Sequence, residues 1–385
     1  MKYFKYFISS ITLVLAVYTC TMGAFYPTCF FIGFSLFIIL GDKILSPDKS
    51  KEKYTSKFLL NLPMYINLPL LLILLFITVY LIGDKQSSFF NDLVINYLQI
   101  DLVRSKQMIN PLDSFFLVAL TGLFIGIMGT VPGHELVHRK KNKFDMFVGN
   151  WLLAISWDCA FAIEHVHGHH KNVGLPIDPA TAKRGENIYG FIFRAIVNEQ
   201  KDAWKIELKR LRKKHQNLIG FKNKMIIGYL RSIVLSIFSF IIGGYQGLII
   251  YLICAFIAKS LLEVINFSEH YGLIRVPGES VSPRHSWNSN SPLSSIYLYN
   301  VTRHSSHHEK ANLKYWELDV YENAPIMPHG YLTMLYLALF MPPVFHKMMA
   351  RKLIDWDNRF ATEKERLISV EHNKDSGIDI LIAQT

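Results

Sequence analysis

Residues 59–83 read L-L-N-L-P-M-Y-I-N-L-P-L-L-L-I-L-L-F-I-T-V-Y-L-I-G and contain no charged side chain. A helix needs about 20 apolar residues to cross the hydrocarbon core of a bilayer, so this stretch is long enough to span one. It therefore predicts a transmembrane helix. Half of the chain is apolar and 14% of it is aromatic, so we expect a membrane protein with further membrane-embedded stretches.

Five further apolar stretches are long enough to cross the membrane. With the first, the six predicted spans are roughly 3–23, 25–41, 59–83, 113–133, 225–243 and 246–266. Lysines precede the first stretch as in a signal peptide, but no A-x-A-like cleavage site follows it, which favours a retained helix. The predicted fold class is an all-α integral membrane protein of about six transmembrane helices, with a cytoplasmic, histidine-rich catalytic cap.

The positive charge indicates the orientation of the chain. The net charge of +11 is concentrated in a few links, and five lysines lie within 42–58 alone. Cytoplasmic loops carry such an excess, so both termini are expected in the cytoplasm. The predicted regions are 1–133 with four transmembrane helices, 134–224 in the cytoplasm with two histidine groups, 225–266 with two transmembrane helices, 267–360 as a cytoplasmic cap with the remaining histidines, and 361–385 as a polar, loosely ordered tail. No basic-aromatic module for nucleic acid is found.

Ten of the fifteen histidines fall in four short groups. Histidines three or four positions apart lie on one helical face, where two imidazoles can share a metal ion. His167 is off the helical face of His165 and is left out. The nine candidate ligands are His134 and His138 in G-H-E-L-V-H-R-K-K; His165, His169 and His170 in E-H-V-H-G-H-H; His270 in N-F-S-E-H-Y-G-L; and His304, His307 and His308 in R-H-S-S-H-H.

Nine histidines exceed the six positions of one octahedral ion, so two metal ions are expected. Imidazole nitrogens suit iron, zinc or copper and disfavour magnesium and calcium. Ionisable residues near the membrane are costly and tend to be functional, which argues against a scattered structural role. Four carboxylates beside the groups are natural acceptors for the distal N–H of a metal-binding ring, namely Glu135, Glu164, Asp178 and Glu269.

The four groups resemble, in sequence and in order, those of the membrane alkane 1-monooxygenases, which are relatives of xylene monooxygenase and more distantly of the membrane fatty-acyl desaturases. Further similar stretches are D-P-A-T-A at 178–182, R-H-S-W-N-S-N at 284–290 and P-H-G-Y at 328–331. The likeness covers about residues 55–356. It places the family's nine iron ligands on the nine candidate histidines, and His285 beside them.

The resemblance implies six spans, a non-haem centre of two iron ions, O₂ as co-substrate and terminal hydroxylation of medium-chain alkanes that enter from the lipid. It also implies a bacterial inner membrane location and electrons from a rubredoxin that a reductase reduces. The last group departs from the family pattern L-Q-R-H-S-D-H-H, because Thr302 and Ser306 stand where the family has Gln and Asp. This change leaves the ligands intact but alters their surroundings.

The chain needs an external electron donor. Its four cysteines form no C-x-x-C pair, and no flavin or nicotinamide fingerprint is present. Rubredoxins are small and acidic, so a basic segment on the cytoplasmic side is the expected dock. Residues 201–224 hold nine basic side chains, and the candidates for docking are Lys209, Arg210, Arg212, Lys213 and Lys214. Anionic headgroups are an equally good use for these charges.

Other functions stay open. His134-Glu135-x-x-His138 fits the H-E-x-x-H motif of an intramembrane zinc protease, with Glu135 as general base, although seven histidines would then have no role. A membrane acyl-lipid desaturase or hydroxylase and a xylene-type methyl hydroxylase share similar histidine spacings. A non-catalytic metal-binding membrane protein also remains open. The sequence does not fix the substrate.

Overall fold

The computed structural model describes residues 2–385, and no strand forms among them apart from one isolated bridge between Asn288 and Ile326. The prediction of an all-α chain is confirmed. The helices of the first half are α1 (Ile8–Met22), α2 (Tyr26–Ile44), α3 (Lys57–Ile82), α4 (Ser88–Leu98), α5 (Leu102–Met108), α6 (Pro111–Ile125), α7 (Val131–Val137) and α8 (Lys143–Ile155).

The second half is helical as well. Its helices are α9 (Phe161–Glu164), α10 (His170–Asn172), α11 (Ile188–Lys213), α12 (Lys224–His270), α13 (Pro292–Tyr297), α14 (His304–Glu309), α15 (Tyr331–Phe340), α16 (Pro342–Arg359), α17 (Glu363–Lys374) and α18 (Asp379–Ile382). Short π-helices occupy Gly126–Thr130 and His165–His169, and 3₁₀-helices occupy Phe4–Phe7 and Pro283–His285.

The chain divides into two compact units. The first comprises the described residues up to Phe37, Tyr54–Cys159 and Ile219–Lys259, and the second comprises Ile38–Lys53, Ala160–Leu218 and Ser260–Thr385. Five helices among the described residues are long and apolar enough to cross a membrane. They are Phe4–Met22, Tyr26–Ile44, Lys57–Ile82, Pro111–Val137 and Lys224–His270. The predicted spans 225–243 and 246–266 both lie within the last of these.

The chain reverses direction inside α12. Gly244 has φ +69°, in the region that favours glycine. A Cβ added at Gly247 would lie 3.1 Å from the carbonyl oxygen of Ser239, whereas eight residues of straight helix rise about 12 Å. Ser232 and Tyr251, on either side of the turn, both donate hydrogen bonds to the carbonyl of Ala154, at 2.9 and 3.3 Å. The helix is therefore two limbs that fold back on each other.

Close packing of α7 on α8 fixes the helix that carries the first two histidines. A Cβ at Gly133 would lie 3.1 Å from Cγ of Leu153, and one at Gly149 would lie 2.9 Å from Cβ of Leu136. Small residues let membrane helices approach closely in this way. The end of α7 is thus held in the first unit by the close approach of α7 and α8 at these two glycines.

In the second unit, the C-terminal tail is helical, and one side of its first helix is buried. The expectation of loose order after residue 360 is wrong, because α17 begins with a capping box of Thr362 and Glu365. Arg184 adds an ion pair with Asp357, at 2.7 Å, and a hydrogen bond to Asn373, also at 2.7 Å. These buried polar contacts fasten α16 and α17 to the segment that follows Asp178.

Candidate metal centre

In the first unit, His134 and His138 lie side by side at the end of α7. Their ring centroids are 4.9 Å apart, and each offers a ligand nitrogen within 4.8 Å of the other. The π-helix Gly126–Thr130 ends just before this helix, and its wider turn resets the helical face on which the two rings lie. The two imidazoles are therefore placed to share one metal ion.

In the second unit, a π-helix carries the second histidine group. A π-helix turn joins residues i and i+5, one more than in an α-helix. His170 therefore lies over His165, and their Nε2 atoms are 3.1 Å apart. An α-helical turn would align His165 with His169, but here the Nδ1 of His169 is directed towards Asp178. His167 is exposed and belongs to neither group of histidines that could hold a metal ion.

Two groups of histidines form within the second unit. The smaller group joins His165, His170 and His307, with ring centroids 4.7 Å apart for His170 and His307. The larger group joins His169, His270, His304 and His308, whose ligand nitrogens all lie within 4.8 Å of one another. All four side chains of the larger group are buried, with His169 and His270 completely inaccessible to solvent.

A hydrogen bond assigns the proton of His270 in the larger group. His270 donates from Nδ1 to the carbonyl of His285, at 3.0 Å, so Nε2 of the neutral ring carries a lone pair. The Nε2 atoms of His270 and His304 are 3.1 Å apart. Because two facing lone pairs would repel at this distance, either a proton or a metal ion must lie between the two nitrogens.

His169 completes the same pattern. Its Nδ1 donates to Asp178 at 2.9 Å, and its Nε2 has no hydrogen-bond partner among the described residues. Burial lowers the pKa of His169, but the Asp178 carboxylate outweighs burial and raises it, so the ring becomes a stronger base. Burial, with neighbouring histidines, holds the pKa of His308 well below its usual range. Neutral, buried imidazoles with lone pairs facing inward fit a divalent transition metal such as iron.

The stretch R-H-S-W-N-S-N braces two of the three segments that carry the larger group, namely the end of α12 and the start of α14. The carbonyl of His285 accepts the bond from His270, and the backbone N–H of Trp287 donates to the carbonyl of Glu269, at 2.9 Å. Asn288 accepts from the backbone N–H of Ser305 at 2.9 Å and donates to the Ser305 hydroxyl at 2.7 Å. One segment thus sets the positions of the end of α12 and the start of α14.

The five side chains expected beside the ligands have different surroundings. Asp178 contacts His169, and Glu269 lies 3.3 Å from His304. Glu164 is buried beneath the π-helix, where a Cβ on Gly168 would lie 2.2 Å from its Oε1 atom. Glu135 accepts two hydrogen bonds from Arg139, at 2.6 and 3.1 Å. His285 reaches His270 with its carbonyl and not with its ring.

The candidate docking residues lie at the C-terminal end of α11. Lys209, Arg212, Lys213 and Lys214 are exposed. Arg210 differs, because both of its hydrogen bonds to Glu207 are 2.7 Å long and Glu207 is 1% exposed. The free positive charge of this end therefore comes from the four exposed side chains.

The two departures in the last histidine group contact neighbouring segments. The hydroxyl of Thr302 is hydrogen-bonded to that of Ser295 at 2.7 Å, and the hydroxyl of Ser306 accepts from the backbone N–H of Asp319 at 3.0 Å. Both side chains stabilise the backbone around α14.

Comparison with known proteins identifies the family. Residues 114–338 match the family model described as fatty acid desaturase. The chain is 38% identical over 237 residues to alkane 1-monooxygenase 1 of Pseudomonas aeruginosa, which is 60% of this chain and 62% of that protein. It is 30% identical over 373 residues to the xylene/toluene monooxygenase hydroxylase component of Pseudomonas putida, which is 95% of this chain and 94% of that protein.

The chain belongs to the fatty acid desaturase family. Alkane 1-monooxygenase 2 of Alcanivorax borkumensis is also similar, at 38% identity over 58% of this chain and 59% of that protein. The chain thus matches about three fifths of the length of these alkane monooxygenases. The likeness to the xylene/toluene protein is weaker in identity but extends over nearly the whole chain.

Sequence reasoning missed several residues around the candidate metal centre. Thr181 donates a 2.6 Å hydrogen bond to Asp178, and D-P-A-T-A was the signal that could have found it. Asn288 lay within a quoted stretch but had no assigned role. Glu365, on α17, accepts a hydrogen bond from His285, and nothing in the sequence pairs two residues eighty positions apart.

Proposed function

We propose that this protein is a membrane monooxygenase that inserts one oxygen atom of O₂ into a terminal methyl group of an apolar substrate. We propose two non-haem iron ions as its cofactor. Their ligands would be the nine histidines named above, His134, His138, His165, His169, His170, His270, His304, His307 and His308. The observation that carries the proposal is the group of buried imidazoles whose ligand nitrogens lie within 4.8 Å of one another, in which His169 and His270 each leave Nε2 available to a metal ion.

The residues of the chain hold and orient the ligands. Bound iron would supply the redox chemistry that splits O₂, with two electrons and two protons, into a hydroxyl oxygen and water. Asp178 and the carbonyl of His285 each accept the distal N–H of a ring, which fixes the tautomer that presents Nε2. Burial of the larger group excludes water, which protects a reactive oxidant from side reactions.

Two kinds of methyl group are the leading substrate classes. Relatives at 38% identity are named alkane 1-monooxygenases, which favours a medium-chain alkane and a 1-alkanol product. The xylene/toluene relative matches nearly the full chain, which favours an aromatic methyl group as the second candidate. Both substrates are apolar and would enter from the lipid.

A zinc protease and an acyl-lipid desaturase have less support. In a zinc protease, Glu135 would act as a general base on a metal-bound water, but its carboxylate is engaged by Arg139. An acyl-lipid desaturase would belong to the same family. The monooxygenase names of the relatives favour hydroxylation over desaturation.

We further propose a topology and an electron donor. The two limbs of α12 would each cross the bacterial inner membrane, which gives six spans, with both termini and the histidines on the cytoplasmic side. A rubredoxin, with its reductase, would supply the electrons. The exposed basic end of α11 would attract such an acidic protein.

The deciding experiment is product identification. The protein is reconstituted with iron, a rubredoxin system and ¹⁸O₂, and is given octane, m-xylene and an acyl lipid together. We expect ¹⁸O in 1-octanol or in the benzylic alcohol, and O₂ uptake that depends on added substrate. An unsaturated acyl chain without ¹⁸O would instead assign a desaturase. Peptide cleavage by iron-free protein would assign a protease.

A further inference from the structure

A carboxylate from the C-terminal tail is buried behind the brace that holds His270. Glu365 lies in the first turn of α17 and is completely inaccessible to solvent. The tail lies outside the residues 114–338 that match the family model. Its contact with the brace is therefore a feature of this chain that the family assignment does not explain.

Three donors surround the carboxylate of Glu365. His285 donates from Nε2 to Oε1 at 2.7 Å, and Arg284 donates from Nε to Oε2 at 2.8 Å. The backbone N–H of Thr362 donates to Oε2, also at 2.8 Å. Burial raises the pKa of Glu365, but the hydrogen bonds from His285 and Arg284 outweigh burial and lower the pKa to about 2. The carboxylate is therefore ionised and fully paired.

The ring of His285 is held at both nitrogens. The backbone N–H of Ser282 donates to Nδ1 at 3.1 Å, so Nδ1 is the acceptor and Nε2 carries the proton given to Glu365. The indole of Trp356 also donates to the carbonyl of Arg284, at 2.7 Å. Because the ring of His285 is fixed at both nitrogens, the backbone of His285 has little freedom to rotate. Its carbonyl, which accepts the Nδ1–H of His270, is therefore fixed as well.

We infer that Glu365 is a positioning residue for the metal site, because it locks His285 so that its carbonyl orients His270. This inference rests on the proposed iron ligands. The chain of contacts runs from Glu365 to the His285 ring, then through the His285 carbonyl to Nδ1 of His270, at 2.7 and 3.0 Å. Groups that orient metal-binding histidines change metal affinity about 10–100-fold when they are removed. Glu365 acts on His270 through His285 and not directly, so we expect about a tenfold loss of metal affinity when Glu365 is removed.

Three substitutions separate this role from a purely structural one. Glu365→Ala removes every contact. Glu365→Gln keeps an oxygen that accepts from His285 but loses the charge that pairs with Arg284. Glu365→Asp keeps the charge but is one methylene shorter and withdraws from His285. Glu363→Ala is the matched control, since Glu363 lies in the same turn and is exposed.

The measurements are Fe(II) affinity, by competition with a chelator, and the thermal unfolding midpoint of the iron-free protein. We expect iron affinity about tenfold weaker in Glu365→Ala, weakened in Glu365→Asp, and close to wild type in Glu365→Gln and Glu363→Ala. For the unfolding midpoint we expect Glu365→Asp to lie above Glu365→Gln, which is the reverse of their order in iron affinity, and Glu365→Ala to be the least stable. A structural role alone would make iron affinity follow stability.

The measurements distinguish a failure of the positioning role from a failure of the proposed function. If wild type binds two irons and the Glu365 variants bind iron as wild type does, the positioning role is overturned. If Glu365→Ala does not fold, the other two variants decide, and weaker iron binding by Glu365→Gln than by Glu365→Asp overturns it. If neither wild type nor Glu363→Ala binds iron, the proposed function itself is overturned, and this inference with it.

Discussion

At the scale of single residues, the proton positions on the imidazoles determine what the larger histidine group can bind. A neutral imidazole has one N–H and one lone pair, and the partner of the N–H decides which nitrogen is left for a metal ion. Asp178 and the carbonyl of His285 accept the Nδ1–H groups of His169 and His270. Both rings are thereby left with Nε2 as the nitrogen available to a metal ion.

Replacement of Asp178 by Asn should weaken iron binding about 10–100-fold. The Asn oxygen can still accept from Nδ1 of His169, but the negative charge that makes the ring a stronger base is lost. The measurement is Fe(II) affinity by chelator competition. Asp355→Asn is the control, because Asp355 pairs with Arg359 on the surface. Wild-type affinity in Asp178→Asn would show that the charge of Asp178 does not act on the metal site.

At the scale of elements, the π-helix His165–His169 distributes its histidines between two groups. An α-helical turn would align His165 with His169, but the wider turn aligns it with His170. Gly168 makes room for this geometry, since the carboxylate of Glu164 lies against the position of its missing Cβ. Glu164 is 2% exposed, so it has little space to withdraw.

Replacement of Gly168 by Ala should therefore disturb the π-helix and lower the iron content. The added Cβ would lie 2.2 Å from Oε1 of Glu164, which forces either the carboxylate or the helix to move. Gly190→Ala is the matched control, because Gly190 lies in α11 and a Cβ there has no heavy atom within 4 Å. Iron per chain after anaerobic loading is the measurement. Equal iron contents in the two variants would contradict the prediction.

At the scale of the whole molecule, the charge that could attract a redox partner is distributed unevenly. Arg210 is paired with buried Glu207, so its reversal would disturb the fold as well as the surface charge. The exposed residues Lys209, Arg212 and Lys213 give a cleaner test. Charge steering acts over about a Debye length, which is about 8 Å at physiological ionic strength.

Reversal of Lys209, Arg212 and Lys213 to Glu should raise, by about tenfold at low salt, the rubredoxin concentration that gives a half-maximal rate. The difference should shrink as salt rises, because screening weakens the attraction. Reversal of Lys347, Arg351 and Lys352 on α16 changes the net charge equally and serves as the control. If both triple variants depend on rubredoxin as wild type does at low salt, the dock lies elsewhere.

The sequence by itself determined the class of fold and predicted which side chains would bind the metal ions. Long apolar runs such as 59–83 predict helices because only a helix satisfies its own backbone hydrogen bonds in lipid. Clustered histidines predict a metal site because few other roles need so many imidazoles together. Both inferences use properties of neighbouring residues, which a sequence contains directly.

Tertiary structure decided the rest, because it depends on contacts between distant residues and on backbone geometry. The pairing of His165 with His170 follows from a π-helical turn that residue spacing does not predict. The acceptor for His270 is a backbone carbonyl, and every residue has one, so sequence cannot single out that of His285. Glu365 looked like part of a solvated tail. Only folding brings Glu365 into contact with His285, which lies eighty residues earlier in the sequence. There Glu365 is buried and accepts a hydrogen bond from His285.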